Sequence, residues 1–61
     1  MNRIGELLKE RGLKQKWLAE QIEMSYVMVN LYVRNKRQPR LETLIKISKT
    51  IGVEIEQLIV T

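Results

Sequence analysis

The chain contains no cysteine and no histidine. Without cysteine there is no disulfide and no thiolate metal site. Without histidine, zinc would rest on carboxylates alone, and acid–base chemistry near neutral pH lacks its usual side chain. One proline and three glycines punctuate the sequence, and no glycine-rich loop able to cradle a phosphate is among them. No apolar run approaches the ~20 residues that a bilayer-spanning helix needs. Residues Met1 to Glu6 lack the apolar core of a signal peptide. Linkers, repeats and low-complexity segments are also missing. The nearest carboxylate pair, Glu20 and Glu23 at i, i+3, reads as a solvent-facing pair rather than a catalytic one. The expectation is one soluble cytoplasmic domain over residues 1–61. It has no catalytic residue, metal, cofactor, membrane contact or evident small-molecule ligand, and it is not an enzyme.

At 61 residues the chain buries only ~60% of the surface that its unfolded form exposes. Its stability is marginal unless the packing is good or the chain self-associates.

What is present in excess is positive charge, and its location matters more than its size. Eleven Lys and Arg oppose seven Asp and Glu, a net charge of +4. Residues 24 to 41 hold Arg34, Lys36, Arg37 and Arg40 and no acid, while elsewhere the two signs balance. A solvated basic loop is the plain reading. A strip facing phosphates is the sharper one.

The stretch Gln15 to Arg34 organises the rest. Leu18, Ala19 and Ile22 lie on one face of a first short helix, and Val29, Tyr32 and Val33 on one face of a second. Ser25 is placed to cap the second, its hydroxyl accepting from a free N–H of the first turn. Two helices this short and this close cross steeply, and Ala19 supplies the small residue needed where they touch. The pattern is a helix-turn-helix. Between them, Met24 is expected to be buried, and Glu23 to take a left-handed backbone conformation at a cost of about 1 kcal/mol.

Around this motif the spacing predicts further helices. One spans residues 2–11, with Ile4, Leu7 and Leu8 inward, Asn2 as N-cap and Gly12 past its end. Leu13 drops toward the core. The motif helices run over about 15–22 and 26–35, with Asn35 left-handed at the end. Pro39 breaks the chain after Lys36 and Arg37. Another helix covers about 41–51, with Leu41, Leu44, Ile45, Ile47, Ser48 and Ile51 as its amphipathic set and Gly52 as its cap. A short final helix covers 55–59, with Ile55, Leu58 and Ile59 on one face. Trp17 reads as a partly buried edge-of-core residue. Lys14 at the N-cap of the second helix opposes the local dipole. It is either a plain surface lysine or one made useful by an anion there. The outer side of the 26–35 helix, with Tyr26, Val27, Met28, Asn30 and Leu31, is unusually apolar for a solvent face and calls for a cover.

The chain resembles the Cro/C1-type (XRE) helix-turn-helix DNA-binding domains over essentially its whole length. The residues that carry the resemblance are Leu13, Gln15 with Leu18-Ala19, Ser25, Val29, Lys36-Arg37 with Pro39, Leu41, Leu44, Ile51-Gly52-Val53 and Leu58. It departs from the family where Glu23 and Asn35 stand for a frequent glycine, Val33 for a frequent glutamate, and Lys14 and Arg40 for Ser or Thr. The resemblance implies an all-α, compact five-helix bundle of the lambda-repressor-like type that binds operator DNA, usually as a two-fold dimer. It implies that Gln15 anchors a phosphate with Lys14 beside it. It also implies that Tyr26, Val27, Asn30 and Leu31 face the bases, with Ser25 at the rim.

Side-chain chemistry fits those roles. Asn30 can contact adenine through both its amide groups, and Val27, Met28 and Leu31 can pack on thymine methyls. The Tyr26 hydroxyl can bond a phosphate or a base edge. Arg34, Lys36, Arg37 and Arg40 can hold the backbone on the far side of the helix. Each has a blander alternative: Tyr26 as a shield for the first turn, Asn30 as a solvated residue, Met28 and Leu31 as surface covered by protein. One such module buries roughly 600–1,000 Å², and two half-sites ~34 Å apart supply a larger interface. The apolar C-terminal face, Ile55, Leu58, Ile59 and Val60, is the expected homodimer seam; the alternative is closure of the monomer's own core, a part that suits Leu58 and leaves Ile59 or Val60 for the partner. The leading expectation is a sequence-specific DNA-binding transcriptional regulator: a phage-like repressor, a restriction–modification controller or an antitoxin-like autoregulator. The rival is a protein-interaction module that docks a partner on the apolar face of residues 26–34.

Overall fold

Ile4, Leu7 and Leu8 share one helical face and are buried together, and the first helix forms around them. In the computed structural model, which describes residues 1–60, it runs Ile4–Glu10 (α1). It is followed by Gln15–Gln21 (α2), Tyr26–Val33 (α3) and Leu41–Ile51 (α4). A 3-10 turn, Ile55–Leu58, closes the order. Among the described residues the bundle is all-helical, with four α-helices where five were expected: the fifth segment is a single tight turn. It spans four residues and is fastened by a reciprocal cap between Glu54 and Gln57. Thr61, the last residue of the expected domain, lies outside the described residues.

Ile4, Leu18, Val29, Ile47 and Leu58 are the most completely enclosed side chains, one from each element. Leu7, Leu8, Ala19, Ile22, Tyr32 and Ile51 surround them. Gly5 lets α1 approach α3 closely, since a Cβ there would lie 2.9 Å from Val33 Cγ1. Trp17, Met28 and Val33 pack on the core at its edge and remain half-exposed. Met24, expected inside, is only half-buried.

All four helices end the same way. A left-handed residue follows each: Gly12, Glu23, Asn35 and Gly52, with φ of 66, 57, 56 and 82°. The next N–H reaches back to a carbonyl five residues earlier. Leu13 donates to Leu8, Met24 to Ala19, Lys36 to Leu31 and Val53 to Ser48. Leu13, Met24 and Val53 are apolar plugs packed against the core. Lys36 is exposed.

Three expectations shift. The first helix starts at Ile4, not at residue 2, and its N-cap is Arg3 without a side-chain bond. Asn2 sits before it and is buried (6% exposed). α3 stops at Val33, because Arg34 and Asn35 already form its terminal turn. On α4, Leu41 and Ile45 belong to the exposed side, while Ile47, Ser48 and Ile51 are enclosed. The two chain ends lie together. Asn2 bridges to Ile59 in antiparallel fashion, Arg3 N donates to the Leu58 carbonyl (2.8 Å), and Val60 N donates to that of Met1 (3.2 Å).

Candidate nucleic-acid interface

α3 begins at a cap that the sequence dictates. Ser25 is extended, with φ −71° and ψ 151°, and its Oγ accepts from Met28 N at 3.1 Å. That cap fixes the direction of a helix of eight residues, about 12 Å long at 1.5 Å per residue. Val29 and Tyr32 point inward. Tyr26 and Val27 point outward and are 52% and 68% exposed. Asn30 and Leu31 are half-exposed beside them. No residue from Tyr26 to Val33 carries a charge. The outer surface of α3 therefore offers apolar groups, one phenol and one carboxamide.

Asn30 is not a free carboxamide. Its Nδ2 donates to Gln15 Oε1 at 2.9 Å, tying the middle of α3 to the start of α2. This bond spends one amide hydrogen of Asn30 and one lone pair of Gln15. Asn30 Oδ1, the second N–H of Asn30 Nδ2 and the two N–H groups of Gln15 Nε2 remain for a ligand. The family resemblance gives these two residues different tasks, base and phosphate. The fold brings them together as a pair.

A shallow cleft runs beside the pair, between the end of α1 and the starts of α2 and α3. Leu8 and Leu13 form its floor, and Lys9, Lys14, Gln15, Lys16 and Tyr26 its rim. Lys14 is extended at the α2 N-cap and makes no capping bond. Lys9 and Lys16 do not stand out in the sequence. Lys16 flanks Gln15 directly, and that adjacency is a usable signal, whereas Lys9 joins only through the folding of α1 onto the motif.

After α3, Arg34, Lys36, Arg37 and Arg40 are all exposed, and Arg37 and Arg40 line a second cleft with Met28 and Tyr32. Among the described residues the only ion pair is Arg3 with Glu6 (3.0 Å), so these four cations have no carboxylate partner. Their loop is nevertheless ordered. Asn35 Oδ1 accepts from Asn2 N (2.8 Å) and from Gln38 Nε2 (3.2 Å), and Pro39 is buried. The part played by Asn2 and Gln38 is invisible in the sequence, because short polar side chains far apart along the chain carry no signal of meeting. The lysines around the start of α2 and the cations after α3 can both neutralise an anionic backbone beside the apolar ridge. Among the described residues no group of His, Cys, Asp and Glu is arranged to hold a metal ion. No described helix is long and apolar enough to cross a membrane.

The four residues expected at a dimer seam divide. Ile59 and Val60 are exposed and Ile55 is half-exposed. Leu58 is fully enclosed, so it closes its own subunit's core and cannot reach a partner. Its place on the seam is corrected accordingly.

A family model described as helix-turn-helix matches residues 4–58. Among solved structures, one described as a "putative DNA-binding protein" from Bacteroides fragilis superposes with a TM-score of 0.93 at 36% identity. The alignment covers 95% of this chain and 94% of that one. Among curated proteins nothing matches.

Proposed function

The chain belongs to the Cro/C1-type helix-turn-helix family, and on that premise we propose that it is a sequence-specific DNA-binding regulator of repressor or controller type. α3 enters the major groove, whose ~12 Å width admits a helix. Tyr26 and Val27 meet base edges and thymine methyls. Asn30, through its free Oδ1, accepts from a base amino group, and Leu31 lies behind it. Gln15 Nε2 and Lys14 hold one phosphate strand. Arg34, Lys36, Arg37 and Arg40 hold the other. The protein acts in the cytoplasm by occupying an operator, without chemistry of its own. The likeness to a structure described as DNA-binding supports this reading.

The observation that carries it is the outward exposure of Tyr26 and Val27 on an uncharged helix flanked by unpaired cations. A soluble domain gains nothing by keeping such a ridge bare unless a partner covers it. Two copies bind as a dimer through Ile59 and Val60, placing two recognition helices ~34 Å apart on one face of the duplex.

Selection of bound fragments from random duplex DNA, followed by salt titration of the best one, tests the proposal. The expected result is an enriched two-fold site and affinity falling with salt at a log–log slope near −0.9 per neutralised phosphate. No enrichment, with affinity flat in salt, would favour the rival reading in which a protein docks on α3.

A further inference from the structure

Three of the four helix ends are anchored by an apolar plug: Leu13, Met24 and Val53. The end of α3 lacks one, because the corresponding residue is the exposed Lys36. A chain reversal without a plug and with two adjacent cations should be loose. Instead it is held by a buried carboxamide from the other end of the sequence.

Asn2 makes that attachment. Its Nδ2 donates to the Tyr32 carbonyl at 2.9 Å and to Gln38 Oε1 at 3.0 Å. Its Oδ1 accepts from Ile4 N at 3.0 Å. Its backbone N donates to Asn35 Oδ1 at 2.8 Å, and its carbonyl accepts from Asn35 Nδ2 at 3.3 Å. Both amide hydrogens of the side chain are used, and no buried side-chain polar atom among the described residues is left without a partner. Asn35 and Gln38, the two residues that bracket Lys36 and Arg37, are thus both bonded to Asn2. Asn2 is itself fixed, since the segment it belongs to pairs with Leu58 to Val60.

We propose that Asn2 is a positioning residue for DNA binding, which clamps Asn35 and Gln38 so that Lys36 and Arg37 are set toward a phosphate strand before DNA arrives. The inference rests on the DNA-binding reading above and adds to it a residue remote from the groove. A prearranged loop gives up less freedom on binding, and that saving appears as affinity. Asn2 itself does not touch DNA in this scheme.

Asn2→Ala could unsettle the fold, so the main test uses Asn35→Gly. Glycine accepts the left-handed backbone, and the change removes both side-chain bonds to Asn2. Two readouts are needed. The first is the backbone order of Lys36 and Arg37 in the free protein, from NMR relaxation. The second is the salt dependence of binding to a duplex. The expected result is lower order at both residues, about two- to tenfold weaker binding, and a log–log slope shallower by up to ~0.9 for each phosphate no longer neutralised. In a Lys36→Ala, Arg37→Ala background, Asn35→Gly should then weaken binding no further. Unchanged affinity and slope in Asn35→Gly would overturn the clamp, whether or not the loop loosens. So would an equal weakening in the double-alanine background. If the unaltered chain bound no duplex at any salt, the DNA-binding reading itself would fail, and the clamp's role with it. The relaxation data would still report whether Asn2 orders the loop.

Discussion

The turn between α2 and α3 and the loop between α3 and α4 begin with the same backbone event and resolve it differently. Glu23 and Asn35 both take left-handed conformations, at φ 57 and 56°, where glycine would be easier. After Glu23 the chain drops Met24 against the core, and the Glu23 side chain is exposed. After Asn35 the chain turns cations outward, and the Asn35 side chain bonds Asn2 through both its amide groups. The first turn aims α3 and is held by apolar burial. The second carries charge and is held by polar bonds. A loop that must keep lysine and arginine in water cannot be anchored by the residues it displays. Its anchor has to come from elsewhere in the chain.

The contrast can be broken by removing each anchor. Asn2→Ala strands the buried N–H of Ile4 and removes the buried bond to the Tyr32 carbonyl. It should cost about 2–3 kcal/mol. In a domain of this size that lowers the melting temperature by about 10–20 °C in a thermal scan. Met24→Ala removes a half-buried plug and should cost about 1–2 kcal/mol, less than truncation of a fully enclosed methionine. It should leave the salt slope of DNA binding as it was. A larger destabilisation from Met24→Ala than from Asn2→Ala would reverse the ranking of the two anchors.

Smaller effects sharpen the division of labour. Arg37→Ala should weaken binding to operator and random duplex alike and lower the salt slope by about 0.9, read in parallel titrations. Asn30→Ala should instead reduce discrimination between them by about 1 kcal/mol, with the slope unchanged. Equal weakening on both DNAs in both variants would contradict the assigned roles. Smallest of all, Glu23→Gly should stabilise by about 0.5 kcal/mol, because it relieves backbone strain and leaves the Met24 plug in place. Asn35→Gly relieves the same strain but forfeits its bonds to Asn2, so chemical denaturation should show no gain.

The helices and the motif were legible because burial repeats at a period that sequence displays. Leu18, Ala19, Val29 and Tyr32 fell on the inward faces expected of them. The left-handed positions were legible too, since Glu23 and Asn35 each follow the last turn of a periodic segment. The ends were less so. Residues 55–59 have a helical pattern but too few residues to complete an α-helix, and they close as a 3-10 turn. Asn2 looked like a cap because cap residues are short and polar. Its Oδ1 does accept from Ile4 N, the first residue of α1, but nothing local could reveal that its other partners lie thirty or more residues away. Leu41 and Ile45 fit an apolar stripe, yet they sit on the exposed side of α4. Periodicity says which residues share a face, while only the packing of the other elements says which face is covered.

The central claim is that the outward side of α3 and the loop after it form one DNA-binding surface. An NMR titration of the labelled protein with its selected duplex tests it most directly. The largest shifts should fall on Tyr26, Val27, Asn30, Lys36 and Arg37, with Leu41 and Ile45 little changed. Shifts concentrated on Leu41 and Ile45, with α3 silent, would contradict it.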